Sequence, residues 1–366
     1  MKKSIYAVSD IHGHCSELKK ALKEAGFRAN DESCVLIVCG DYFDRGVENR
    51  EVFDFLHSIK NKILIRGNHE DMLEQLLEKK HMGSAGFSNG LDTTLRSFFG
   101  DRVIGELDFA YQFAYRLHFE GREDTVASLR NWINGMFDYV ETENYIFTHG
   151  WLPIDFSVYG NCIVKEDFRY ETPDVWKHAR FTEWYRTYAA GAVLNDKTVV
   201  CGHRSARFAC LVDSQRDPMD ASIFRANGVV AIDTSTTQSK RINVLVIENE
   251  EWNTQTHEMS LQTDPFTKIK NGKKRVELRL LDEKRKAIRV GDCIVFRHTQ
   301  DGEMLEKRVV GLHRYRDFNA VLSDFSRTDL GFDDKLGSPS EIMRAYYSDE
   351  DVKQYGVLAI RLANEP

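Results

Sequence analysis

The sequence predicts an α/β domain followed by a second, smaller β-rich domain. Three observations carry that expectation. Five short apolar runs in the first 205 residues each end on a polar cluster, helical patterns separate some of them, and residues 265–366 begin afresh with alternating strand-like runs. In α/β sheets, ligand sites gather beyond the carboxyl ends of the strands, so polar clusters distant in sequence can converge on one place.

The five runs are 4-SIYAVSDIHG-13, 35-VLIVCGDYFDRG-46, 63-ILIRGNHED-71, 145-YIFTHG-150 and 198-TVVCGHRSA-206. Between the first two, 16-SELKKALKEAG-26 reads as a helix, with Ser16 as N-cap, Leu18, Ala21, Leu22 and Ala25 on one face, and Gly26 closing it. Segments 229-VVAIDTS-235 and 242-INVLVIE-248 read as further strands that close the first domain, residues 1–248. The stretch 249–264 is polar and aperiodic and is expected to be a linker. Strand-like runs 276-VELRLL-281, 293-CIVFRH-298, 308-RVVGLHRY-315 and 356-GVLAIRL-362 then build the second domain, residues 265–366.

At 366 residues and 42% hydrophobic, the chain can bury a sizeable core. No window approaches a membrane span and the N-terminus does not read as a secretory signal, so a cytoplasmic protein without membrane contact is expected. Seven scattered cysteines without a C-x-x-C pair fit a reducing compartment and core packing. Charge is uneven. The net −7 divides into −9 over residues 1–263 and +2 over residues 264–366, and residues 264–316 alone hold 15 basic against 8 acidic groups. The excess points to an anionic partner for the C-terminal part.

Asp10, His12, Asp41, Asn68, His149 and His203 all lie at predicted strand ends. They offer oxygen and imidazole donors without thiolates, which suits divalent Mn²⁺, Fe²⁺ or Zn²⁺ rather than a structural zinc–cysteine site. One carboxylate can bridge two cations, and two ions roughly 3.5–4 Å apart can activate a water and neutralise both ends of a displacement at phosphorus. A single D-x-H or G-H after a strand is most often a turn or a satisfied histidine; five such clusters in order are not.

DIHG, GDYFDRG, GNHE, THG and GH together resemble the calcineurin-like metallophosphoesterases, in their phosphoprotein phosphatase branch with its DxH, GDxxDRG and GNHE signatures. The likeness extends from about residue 4 to 247, and 89-NGLDTTLRSF-98 is similar to the NGGxxTLxSY element of prokaryotic members. It implies an αββα sandwich in which Asp10 and His12 hold one ion, Asp41 bridges, and Asn68, His149 and His203 hold the second. It further implies His69 as general acid oriented by Asp44, with Arg45 and Arg66 gripping phosphate. A further phosphate-binding arginine is expected between the last two histidines, and Arg180 is preferred over Arg186. His14 lies close by but reads equally well as a polar residue at a helix start. THGW and DTS depart from the family's usual histidine–glycine–glycine and DTG patterns, on loops that shape the pocket.

Residues 265-PFTKIKNGKKRVELRLLDEKRKAIRVGDCIVF-296 with 346-YYSDEDVKQYGVLAIRL-362 resemble the ASCH domain, a small barrel related to RNA-binding PUA-like folds. Lys273 or Lys274, with Glu277, match the start of the Lys–Thr–Glu pattern of members that hydrolyse acetylated cytidine, but Arg275 follows where threonine is expected. Lys270, Lys273, Lys274, Glu277 and Arg279 form the candidate nucleic-acid-contacting set, with a solvated basic face as the bland alternative.

The resemblances imply a metal-dependent phosphoesterase, serine/threonine phosphatase-like, that hydrolyses phosphomonoesters or phosphoanhydrides by direct attack of a metal-bridging hydroxide. The expected cofactors are two divalent ions, Mn²⁺ first, with Fe, Zn, Ni or Mg as alternatives. The expected substrate is a phosphoprotein, a nucleotide or an RNA end, and RNA is the expected partner of the C-terminal domain. The alternatives are an RNA or nucleotide reader with secondary hydrolysis, and a dinucleoside tetraphosphate hydrolase.

Overall fold

The structure, a computed structural model, describes residues 2–111, 113–156, 162–332 and 337–363. It divides into two compact units, Met1–Val164 with Lys177–Trp252, and Lys165–Trp176 with Asn253–Pro366.

The first unit carries two mixed sheets. One has the order Leu245–Glu251, Lys2–Val8, Cys34–Cys39, Lys62–Ile65, in which the last three strands run parallel and the first is an antiparallel edge. All six residues of Cys34–Cys39 are buried, as expected for a central parallel strand covered on both faces. The other sheet has the order Phe224–Ala226, Val229–Ala231, Thr198–Cys201, Tyr145–Phe147, Val140–Glu141, with its three middle strands parallel. The carboxyl ends of the two sheets meet: the Nδ1–H of His149 donates to the carbonyl of Cys39 at 2.7 Å, and the backbone N–H of His203 donates to Asp10 at 2.9 Å.

The helix Cys15–Glu24 buries Cys15, Leu18 and Leu22 at the i, i+3, i+7 spacing of one helical face. It starts two residues earlier than expected, with His14 rather than Ser16 at the N-cap position. Ser16 lies inside it and donates to Glu48 at 2.5 Å instead of capping, and Gly26 closes the turn with φ of 81°. Leu18 and Leu22 join a core with Leu36, Val38, Leu56 and Leu73; full burial of each such side chain is worth about 2 kcal/mol.

In the second unit a curled five-stranded sheet has the order Thr256–Leu261, Cys293–His298, Met304–Tyr315, Val357–Leu362, Val276–Leu280. The stretch expected as a linker is ordered here. Leu245–Glu251 pairs with Lys2–Val8, and Thr256–Leu261 pairs in parallel with Cys293–His298. Its alternation was hidden by outward polar residues, while Met259 and Leu261 point into the core. The segment 165–176 is a second departure from the expected boundaries. It belongs to this unit, where His313 donates through Nδ1 to the carbonyl of Glu171 at 2.7 Å.

All seven cysteines are free, and five of them are buried. Among the described residues no helix is long and apolar enough to cross a membrane.

Candidate active site

The loops that follow the parallel strands of the first unit hold their side chains in unusual backbone conformations. Asp10, His12, Asp41, Asp44, Arg45 and His203 all have φ between 47° and 75°, six of the eleven non-glycine residues with positive φ among those described. Such left-handed conformations cost energy that a loop retains only when its surroundings over-determine it, and they cluster at functional sites. Glycines make room for the crowding. A Cβ on Gly67 would stand 2.3 Å from Asp41 Oδ1, and one on Gly202 would stand 2.3 Å from Asp10 Oδ2.

Asp41 is common to two groups whose donor atoms lie within 4.8 Å of one another, His12–Asp41–His69 and Asp41–His149–His203. His12 Nε2 is 3.7 Å from Asp41 Oδ2 and 4.0 Å from Asp10 Oδ1. His149 Nε2 is 3.3 Å from Asp41 Oδ1 and 2.8 Å from Asn68 Oδ1, and His203 Nδ1 is 2.9 Å from the same Asn68 oxygen. His12 and His149 each donate Nδ1–H to a backbone carbonyl, of Phe43 at 2.9 Å and Cys39 at 2.7 Å, which turns Nε2 of both rings inward. The structure thus brings together all six side chains singled out as ligands.

The electrostatics fit cations. Burial raises Asp10 to about 6, with a smaller push from Asp41 and against the pull of His149. Burial and the Asp10 charge also hold Asp233 well above the usual carboxylate range. Burial alone would lower His149, but Asp41 and Asp10 carry it up to about 10, while burial and His149 take His203 down to about 3. Burial and mutual repulsion penalise the charged forms of Asp10 and Asp233, a penalty that a bound cation relieves, and oxygen and imidazole donors are the usual partners of divalent ions such as Mn²⁺ or Zn²⁺. The residues present therefore fit a binuclear centre.

His69 sits on the helix Asn68–Lys79 and pairs its Nδ1 with Asp44 Oδ2 at 2.6 Å. Burial opposes its protonation, yet Asp41 and Asp44 raise its pKa. Arg45 is exposed at the rim, with Nη1 2.9 Å from His12 Nε2 and Nη2 3.1 Å from His69 Nε2. Asp44 is itself fixed, because its carboxylate accepts from Thr94 Oγ1 and its N–H donates to Asn49 Oδ1 at 2.9 Å.

The other two arginines are paired with carboxylates in the structure. The Arg66 guanidinium, expected to grip phosphate, is buried against Asp71 at 2.6 Å and against Glu74. Arg180 donates to both oxygens of Asp71 at 2.8 and 3.1 Å and to Asp138 at 3.1 Å. Carboxylates one and two helical turns beyond Gly67 occupy the forks that were expected to face substrate. Arg186 is exposed and pairs with Glu183 at 2.6 Å. His14 is buried, donates to the His12 carbonyl at 2.6 Å and accepts from Lys240 Nζ at 2.8 Å.

Several residues of the site were not singled out in the sequence. Glu70 takes the backbone N–H groups of Gly67, Asp41 and Tyr42 at 2.9–3.1 Å and so ties two site loops together. Burial and Asp41 raise it to about 7. It is the last residue of GNHE, so the signal was present. Thr94 likewise lies in the NGLDTTLRSF element. Asp71 and Asp138 carried no comparable signal.

The second unit holds a cavity of about 720 Å³ lined by Lys268, Lys274, Glu277, Arg279, Arg297 and Tyr346 among others. Lys274 is buried, donates to the Leu330 carbonyl at 2.8 Å and stands 3.3 Å from Glu277 Oε2, while Glu277 Oε1 lies 2.5 Å from Arg279. Burial lowers the Lys274 ammonium from its ordinary value, against the pull of Glu277. Lys270 and Lys273 are exposed, and neither lines this cavity; Lys270 pairs with Glu303 at 2.6 Å. The expected surface stripe is therefore divided, with Lys274, Glu277 and Arg279 in the cavity and the other two outside it.

Residues 3–232 match the family model for calcineurin-like phosphoesterase, and residues 259–366 match that for the ASCH domain. A symmetrical bis(5'-nucleosyl)-tetraphosphatase of Buchnera aphidicola subsp. Schizaphis graminum is 41% identical over 68 residues, 18% of this chain and 24% of that one. The chain thus spans about a quarter of the length of the curated relatives it matches. Among solved structures, a cold-active protein-tyrosine phosphatase of a Shewanella species is 17% identical, with 68% of this chain and 76% of that chain covered and a TM-score of 0.39. A Pyrococcus furiosus protein solved by NMR is 34% identical over 29% of this chain and 94% of its own, with a TM-score of 0.24.

Proposed function

The chain belongs to the calcineurin-like phosphoesterases, and we propose that it is a two-metal hydrolase of phosphomonoesters or phosphoanhydrides whose substrate is a nucleotide. The observation that carries the reading is Asp41, shared by two carboxylate–histidine groups. Asp10 and His12 would hold one ion, Asn68, His149 and His203 the other, and Asp41 both. When bound, two such ions polarise the phosphoryl oxygens and make water a nucleophile near neutral pH.

The chain's own residues supply the rest. Arg45, the exposed guanidinium at the rim, takes phosphoryl oxygens in a bidentate fork. His69, raised in pKa and held by Asp44, gives its Nε2 proton to the leaving oxygen. Arg66 and Arg180 serve as the scaffold behind the helix that presents Asn68 and His69, since their forks are taken by Asp71, Glu74 and Asp138. Water supplies the attacking oxygen, and no side chain is phosphorylated.

The nucleotide preference is supported by the short stretch shared with the bis(5'-nucleosyl)-tetraphosphatases and by a second unit of the ASCH family. The test is a single turnover in ¹⁸O water with Mn²⁺, across diadenosine tetraphosphate, a phosphoserine peptide and 5'-phosphorylated RNA. Label wholly in the product released from a nucleotide substrate supports the proposal; a trapped phosphoenzyme overturns it. A second reading, an RNA or nucleotide reader acting through the C-terminal unit, is favoured by the cavity walled by Lys268, Arg279 and Arg297. Asp41→Asn separates the two, because it should abolish hydrolysis and leave RNA binding in place.

A further inference from the structure

Phe181 follows directly on Arg180 and is 45% exposed, although its ring centroid lies 6.2 Å from that of His203 in an edge-to-face arrangement. Large aromatic side chains beside a buried polar cluster are ordinarily folded inward, because exposing their surface is unfavourable. Here the turn that carries it is anchored on both sides. The Phe181 N–H donates to the His178 carbonyl at 3.1 Å, and the neighbouring Arg180 is pinned by Asp71 and Asp138. Three residues on, Trp184 is fully buried and donates its indole N–H to the Arg204 carbonyl at 2.8 Å, which anchors the far end of the same turn. Among the described residues the Phe181 ring makes no aromatic contact other than the one with His203. A flat apolar face is thereby held at the mouth of the site beside one of the histidines assigned to the second ion.

We infer that Phe181 is the stacking surface for the base of a nucleotide substrate, a specificity-determining residue that selects nucleotide over aliphatic phosphoesters. The inference rests on the phosphoesterase reading above and deepens it. A base lies one sugar beyond the reacting phosphate, and every base offers a π face, so a single rim aromatic can recognise nucleotides without reading their identity. The arrangement matches the charges around it. Arg45, beside His12 and His69, takes phosphate, and Phe181, beside His203, takes the base.

The test compares wild type, Phe181→Ala, Phe181→Leu and Phe181→Trp with Mn²⁺, measuring kcat and KM for diadenosine tetraphosphate and for glycerol 2-phosphate in the same preparations. The ratio of the two kcat/KM values is independent of the folded fraction. It should fall about tenfold in the Ala and Leu variants, the size of one base–aromatic stack, mostly through KM, and recover in the Trp variant. An unchanged ratio in Phe181→Ala overturns the inference, as does a wild type that hydrolyses glycerol 2-phosphate but no nucleotide. The first of those results leaves the proposed function standing, and the second leaves phosphoester hydrolysis but removes its nucleotide substrate. Absence of turnover on either substrate removes the phosphoesterase reading and the inference with it.

Discussion

His69 Nδ1 lies 2.6 Å from Asp44 Oδ2 with both side chains buried, so one nitrogen is fixed by a carboxylate while the other faces Arg45 and Asp41. Asp41, together with this pairing, keeps the imidazole charged to higher pH than an ordinary histidine. A proton donor of raised pKa works below that pKa and fails as pH rises through it. Asp44→Asn removes one of the two charges that raise His69, Asp41 being the other, so the basic limb of the pH–rate profile should move to lower pH. Turnover of an ester with a poor leaving group should fall about 10²-fold, and p-nitrophenyl phosphate, whose leaving group needs no proton, should suffer less. Equal losses on both esters, with an unmoved profile, would remove His69 from the role of acid.

Asp71 stands between the buried guanidinium groups of Arg66 and Arg180. Burial works against its charge, yet Arg180 and Arg66 hold its pKa below the ordinary value. The sign follows: a depressed carboxylate stabilises above its unfolded pKa of about 4 and loses that contribution as pH falls through the folded value. Asp71→Asn leaves two buried cations short of a partner and should cost about 3 kcal/mol in urea unfolding at pH 7. It should also flatten the loss of stability on acidification.

Ser235 occupies the third position of DTS with φ of 55°, where the family's usual residue is glycine. A left-handed conformation costs a non-glycine residue about 1–2 kcal/mol, partly offset by the greater chain entropy that glycine brings to the unfolded state. Ser235→Gly should therefore raise the urea midpoint by an amount equivalent to up to about 1 kcal/mol. A lower midpoint would mean that the Ser235 side chain contributes more than its backbone costs.

In the second unit the cavity rather than the exposed lysines should govern binding of polyanions. Arg297→Glu, at the exposed edge of the cavity, should weaken binding of a short single-stranded RNA about tenfold and lower its salt dependence. Lys273→Glu, outside the cavity, should do less. Filter binding at two salt concentrations checks both, and the reverse order would restore the surface stripe.

The convergence of the six candidate side chains was legible in sequence because each follows an apolar strand and sits in a short motif, so strand ends predicted where the side chains would meet. The same motifs contained Glu70 and Thr94, but the tie between loops that Glu70 makes is a property of tertiary approach. Arg66 and Arg180 show the limit most clearly. The family resemblance implied phosphate contacts for both, whereas the partners Asp71 and Asp138 come from a helix turn and from a position 42 residues upstream of Arg180. The compact units divide the chain differently from the expected boundaries for a related reason. Strand Thr256–Leu261 is polar at four of its six positions, and residues 165–176 join the second unit through contacts that no local pattern encodes.

The most direct test counts ions. Equilibrium dialysis of the full chain against Mn²⁺, followed by elemental analysis, should give two equivalents per chain for wild type and fewer than one for Asp41→Asn, with the variant's fold verified by circular dichroism. Two equivalents retained without the Asp41 carboxylate, or none in wild type, would contradict the account.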